Sequence, residues 1–136
     1  MISYQEEILF LNKNPKNHGV IENPDAHIEV KSSLCGEYII LDVNFEENNQ
    51  MPVSDIKFSG ECCALTKASA SIMTSLLKTR PQCSYKSLYR LFMNFIEGQD
   101  CDEIPIELSI FKGLKDFPSR RACALLPWKA LEETLN

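Results

Sequence analysis

No apolar run in the 136 residues approaches the roughly 20 that a helix needs to cross a bilayer. The opening residues Met1 to Glu7 carry early acids and no basic stretch ahead of an apolar one, so an export signal is not expected. Basic charge is also short: 14 Lys and Arg stand against 19 Asp and Glu, a net charge of -5. That balance gives no general attraction to nucleic acid or to anionic lipid, and neither is expected as a partner. Histidine is scarce, with only His18 and His27, both expected to be solvated rather than ligating. No Cys-x-x-Cys pair, internal repeat or low-complexity segment occurs. The expectation is a soluble cytoplasmic protein.

What is present is a core. Hydrophobic residues make up 44%, enough for one domain over residues 1–136 and short for two. Tyr4 to Leu11 has a helical stripe, and Asn12 to Gly19 follows with helix breakers. His27 to Val30 and the branched, aromatic run Tyr38 to Phe45 read as strands. Val53, Ile56 and Phe58 continue as a third, closing a hairpin through the polar turn Glu46 to Gln50. The period then changes: Cys63 to Lys78 is a helix with a small-residue middle, suited to close packing against the sheet, and it ends at Arg80-Pro81. Tyr85 to Ile96 is a second amphipathic helix closed by Gly98. A shorter helical piece follows Pro105, and a last helix begins near Ser119 or Arg120 with Trp128 in the core. Pro127 either kinks that helix or marks a late start. The fold class is α+β: a small antiparallel sheet of about three strands packed by helices.

Six cysteines in a reducing compartment persist as thiols, available as metal ligands or nucleophiles. Cys35, Cys63 and Cys123 share a placement at element boundaries. Cys63 opens a helix, where amide donors and the helix dipole favour thiolate, and Cys123 follows Arg120 and Arg121, whose charge is expected to do the same. If these ends converge, they form a cluster of soft ligands for zinc or iron-sulfur. Glu37 lies two residues beyond Cys35, on the same face of an extended chain; on the residues alone it reads as a solvated acid flanking a strand, with a fourth-ligand role as the alternative. Cys62 cannot easily share the direction of Cys63 and reads as a structural or spare thiol. Lys67 reads as a surface lysine, and Asp100 to Glu103 as a solvated turn.

Four segments carry a family resemblance. They are Lys13-Asn14-Pro15-Lys16-Asn17-His18-Gly19, Leu34-Cys35-Gly36-Glu37, the run from Phe58-Ser59-Gly60-Glu61-Cys62-Cys63 to Ser71, and Phe117-Pro118-Ser119-Arg120-Arg121-Ala122-Cys123 with Leu126-Pro127-Trp128-Lys129-Ala130-Leu131. Together they resemble the IscU/NifU-N/SufU family of iron-sulfur assembly proteins. The long stretch between Cys63 and Cys123, and Ala122 where the IscU branch has histidine, are closer to the SufU branch. The resemblance implies an α+β fold and a site for zinc or a nascent cluster formed by three cysteines, matched here by Cys35, Cys63 and Cys123, and by an aspartate, replaced here by Glu37. The family glycine before the second cysteine is replaced by Cys62.

The resemblance also implies that a SufS-like cysteine desulfurase delivers persulfide to Cys123 or Cys35, with iron-sulfur acceptor proteins downstream. Such a chain is a sulfur acceptor working with its desulfurase rather than a stand-alone enzyme. Two other readings compete: a [2Fe-2S] scaffold of IscU type, and a diverged interaction protein that zinc stabilises without sulfur transfer.

Overall fold

The computed structural model describes residues 4–33, 36–45, 53–79, 85–99 and 104–134. The element order is α1 (Tyr4–Lys13), β1 (Ala26–Lys31), β2 (Tyr38–Phe45), β3 (Val53–Ser59), α2 (Ala64–Thr79), α3 (Tyr85–Ile96), two 3₁₀ turns (Ile106–Phe111 and Leu114–Asp116) and α4 (Pro118–Thr134). The strands form one antiparallel sheet in the order β1-β2-β3. This is the expected α+β architecture. The hairpin turn expected at Glu46 to Gln50, the helix stop at Arg80-Pro81 and the polar run from Asp100 to Glu103 lie outside the described residues.

β2 buries Ile39, Leu41 and Val43 on one face, as the period of two requires. β3 buries Val53 but then Ile56 and Phe58, which have opposite parity along the chain. A register shift at Asn44/Phe45 pairs Phe45 with Val53 and Asn44 with Asp55, so one extra residue on β3 returns both sets to the core. Helix α4 lies across β1 and β2, and α2 lies against β3 and against α4.

Trp128 is fully buried at the α4 contact. Its ring stacks on Phe92 of α3 with centroids 4.3 Å apart, and Phe111 meets Phe92 edge-on at 5.7 Å. The helical piece after Pro105 is thus a 3₁₀ turn that carries Leu108 and Phe111 into the core.

The segment after α1 is fastened at two sides. The Lys16 amide donates to Ser71 Oγ (3.0 Å), and Asn17 Nδ2 donates to Thr74 Oγ1 (2.9 Å), both on α2. On its other side the Phe58 amide donates to the Asn17 carbonyl (2.9 Å) and the Gly19 amide to the Phe58 carbonyl (2.8 Å). Asn17 sits at φ 62°, a left-handed conformation that asparagine tolerates. His18 is exposed, as expected, with its ring edge-on to Phe58.

His27 is exposed too, but its Nδ1 meets Asp42 Oδ1 across the β1-β2 ladder. Asp42 is buried and also accepts from the Ile21 amide at 3.1 Å. Helix α4 begins at Pro118, slightly earlier than expected, and continues through Pro127. Among the described residues no helix is long and apolar enough to cross a membrane.

Gly60 closes β3 at φ 113°, and a Cβ there would sit 2.4 Å from the Tyr38 carbonyl oxygen. Gly113 also has positive φ, but a Cβ there meets nothing within 4 Å. Gly60→Ala is therefore expected to cost about 3 kcal/mol or more, from backbone strain plus the clash. Gly113→Ala should cost only about 1 kcal/mol. Urea unfolding of the two variants against the parent checks the difference.

Candidate metal centre

The last residues before β2 and α2, and the second turn of α4, meet at one end of the sheet. Glu37 immediately precedes β2; its carbonyl accepts from the Ser32 amide (2.9 Å), and the next residue, Tyr38, donates its amide to the Glu61 carbonyl (3.1 Å). These two bonds bring the β1-β2 connection beside the β3-α2 connection. Cys63 is the residue before α2, and its carbonyl accepts the first helical bond, from the Lys67 amide at 2.9 Å. Cys123 lies on α4.

One carboxylate oxygen of Glu37 and the sulfurs of Cys63 and Cys123 all lie within 4.8 Å of one another. Cys63 is exposed, and Glu37 and Cys123 are half-buried, so the cluster opens to solvent through Cys63. Cys123 Sγ faces Glu37 Oε2 at 3.7 Å. Cys35, the remaining expected ligand, lies outside the described residues, as do Cys83 and Cys101. The three described cysteines, Cys62, Cys63 and Cys123, are free thiols.

The donor set suits zinc. Zinc, a borderline-soft ion, takes both soft thiolate sulfurs and harder carboxylate oxygens, the donor types gathered here within 4.8 Å of one another. The electrostatics agree. Burial pushes the Cys123 thiol up to about 12, helped by its hydrogen bond with Cys63 and by the charges of Cys63 and Glu37, with Thr66 opposing. Anionic groups thus crowd each other, which a divalent cation relieves.

One expectation fails here. Cys123 is not at the start of its helix, and Arg120 and Arg121 do not promote its thiolate. Arg121 Nη1 turns to the Lys115 carbonyl (3.3 Å) and Glu97 Oε2 (3.8 Å), while Arg120 lies over the Phe117 ring at 5.4 Å. Both guanidinium groups thus belong to the exposed side of α4.

Cys62 behaves as a structural thiol. Its Sγ donates to the Tyr38 carbonyl (3.3 Å) and packs against the core. Burial first, then the charges of Glu37 and Cys63, raise it to about 12, with Lys67 pulling the other way. Among the described non-glycine residues only Asn17 and Asn23 have positive φ, so the backbone at Cys62 does not need glycine.

Sequence reasoning missed Thr66, which is fully buried at the centre of the cluster. Its Oγ1 donates to Glu37 Oε1 at 2.6 Å, lies 3.1 Å from the Cys123 carbonyl, and is 3.2 Å from Cys63 Sγ. Its place three residues after Cys63 was the available signal, because residues at that spacing share a helix face and reach a helix N-terminal neighbour.

An antiparallel three-stranded sheet backed by helices, with thiols and a carboxylate gathered at its element ends, defines an α+β domain whose Glu37, Cys63 and Cys123 could hold a metal ion. The chain belongs to the family described as NifU-like N terminal domain, which matches residues 3–124. It is similar to the zinc-dependent sulfurtransferase SufU of Bacillus subtilis strain 168, with 33% identity over 132 residues, 96% of this chain and 87% of that one. It is also similar to the iron-sulfur cluster assembly scaffold protein IscU of Streptococcus pyogenes serotype M1, 29% identical across 92% of this chain and 77% of that one. A crystal structure of a protein assigned as iron-sulfur cluster assembly scaffold for the SUF system of Fervidobacterium islandicum AW-1 superposes with a TM-score of 0.83 at 30% identity, covering 96% of this chain and 95% of that one.

Raised thiols carry a pH signature in the metal-free protein. A group whose folded value lies above its ordinary value near 9 contributes stability that is complete below that value and lost as pH rises toward about 12. In chelator, the urea midpoint is expected to fall between about pH 8 and pH 10.5, and a Cys62→Ser, Cys123→Ser double variant should show a shallower fall. An equal slope in parent and variant would assign the pH dependence to other groups.

Proposed function

We propose that this chain is a zinc-holding sulfur acceptor for iron-sulfur cluster assembly, taking persulfide sulfur from a SufS-like cysteine desulfurase and serving iron-sulfur acceptor proteins. The observation that carries the reading is the approach of Glu37, Cys63 and Cys123 to within 4.8 Å, in a chain of this family. The name of the Bacillus subtilis relative, a zinc-dependent sulfurtransferase, supports zinc as the resident metal. Glu37, Cys63 and Cys123 would hold it, with Cys35 as the fourth ligand. Bound there, zinc would keep the thiols deprotonated at neutral pH despite their burial.

The chain's own part in sulfur transfer is nucleophilic. A thiolate of Cys123 or Cys35 attacks the outer sulfur of the desulfurase persulfide; a new sulfur-sulfur bond forms, the old one breaks, and the desulfurase thiolate leaves. Cys63 is exposed and opens the cluster to an approaching partner, whereas Cys123 is half-buried behind it. Transfer to Cys123 thus calls for the partner to reach past Cys63.

A second reading, a [2Fe-2S] scaffold, is favoured by the similarity to the Streptococcus pyogenes IscU and by the same donor set. In it, iron and sulfide are cargo on the same residues. Metal analysis after anaerobic purification separates the two, and an absorbing cluster formed with iron, sulfide and desulfurase would support the scaffold.

Zinc is expected at about one per chain, with Cys63→Ser and Cys123→Ser each weakening binding by a factor of ten or more. With the desulfurase and labelled cysteine, the parent should take up sulfur and Cys123→Ser should not. Undiminished labelling of Cys123→Ser would move the acceptor role to Cys35. Zinc binding without any stimulation of the desulfurase would instead leave the chain a zinc-stabilised interaction protein.

A further inference from the structure

The centre of the cluster is a hydroxyl with a single proton and three neighbours. Thr66 Oγ1 lies 2.6 Å from Glu37 Oε1, 3.1 Å from the Cys123 carbonyl oxygen and 3.2 Å from Cys63 Sγ. The shortest of these falls in the range of charge-assisted O–H···O⁻ bonds, so the proton is given to the Glu37 carboxylate. The Cys123 carbonyl has a particular reason to be nearby. Its helical partner four residues on is Pro127, which has no N–H to donate. Proline therefore leaves uncovered the carbonyl of a candidate ligand, and the Thr66 hydroxyl stands over it.

We propose that Thr66 is a positioning residue that holds Glu37 as a one-oxygen metal ligand. Oε1 is tied to Thr66, and Oε2 is left facing Cys123 Sγ at 3.7 Å. Glutamate has one more rotatable bond than aspartate, and a carboxylate at its end is free to turn both oxygens or neither toward a cation. Thr66 removes that freedom, since it is fully buried within α2 and its own side chain is held there. Partners that orient metal ligands in this way commonly change affinity by 10–100-fold when removed.

The inference rests on the metal-holding reading of the same donors, and cobalt(II) tests the two separately. Metal-stripped parent, Thr66→Val, Thr66→Ser, Glu37→Gln and the Glu37→Gln, Thr66→Val double variant are titrated with cobalt(II) and their visible d–d bands recorded. Thr66→Val keeps the shape and lacks the hydroxyl; it is expected to bind roughly 10–100-fold more weakly, with altered bands. Thr66→Ser should restore parental bands and affinity. The double variant should bind no more weakly than Glu37→Gln alone, because both changes remove one interaction. Thr66→Ala supplies the same comparison if circular dichroism shows that Thr66→Val does not fold. Parental cobalt binding and bands in both hydroxyl-free variants, or losses that multiply in the double variant, overturn the positioning role and leave the metal centre standing. A parent that takes up no cobalt overturns both.

Discussion

The site depends on how closely α2 and α4 approach each other. Ala68 and Ala70 on α2 are fully buried, and so are Ala124 and Ala130 on α4. With no bulk between the helices, Ser69 Oγ reaches the Ala124 carbonyl at 2.6 Å and accepts from Trp128 Nε1 at 3.1 Å. Thr66, one turn earlier on α2, makes the equivalent approach to the Cys123 carbonyl. Two hydroxyls three residues apart thus meet two successive carbonyls just before Pro127. A buried hydroxyl without a partner is costly, so the Ser69 bonds to Ala124 and Trp128 favour one registration of the helices over slipped alternatives.

That registration sets where the candidate ligands stand. Cys63 precedes α2 and Cys123 lies on α4, so any slide between the helices changes the separation of their sulfurs. Trp128 anchors the same crossing from the far side, stacking on Phe92 while its indole nitrogen donates to Ser69. The core and the candidate metal centre are therefore connected by a short path: Phe92, Trp128, Ser69 and, one turn away, Thr66. Glu37 is brought in independently, by the β1-β2 connection, and joins the helices through Thr66.

Much of this was legible in the sequence for simple reasons. Strand parity and helix period are strong signals in Tyr38 to Phe45 and in Tyr85 to Ile96, and both elements are found where the periods put them. The small-residue middle of α2 pointed to close packing against the sheet, and the closest approach is instead to α4. The α2 hydroxyls were legible only as small residues, because the partners of Thr66 and Ser69 are carbonyls more than 50 positions away. The electrostatics of Cys123 were misread for a related reason. Arg120 and Arg121 are near in sequence, but their guanidinium groups are engaged by Phe117 and by Lys115 and Glu97, while Glu37 and Cys63 reach Cys123 from other elements. The bulge in β3 is likewise invisible locally, since Val53 and Ile56 share a face only once their pairing with β2 is known.

The opening segment Lys13 to Gly19 shows how a motif can serve a site without touching it. Its bonds run to Ser71 and Thr74 on α2 and to Phe58 on β3. These residues belong to the two elements that flank Gly60, Glu61, Cys62 and Cys63. Lys78 adds a further tie, since its Nζ meets both Asn17 Oδ1 and Asp55 Oδ1 at 3.2 Å. The segment therefore clamps β3 to α2 from outside the sheet, so the turn that presents Cys63 has fixed ends. Gly60 lets that turn pass close to the Tyr38 carbonyl, and Cys62 seals it with a thiol donated to the same oxygen. Cys62 thus holds the backbone beside the candidate ligand Cys63, and the two adjacent thiols do different work.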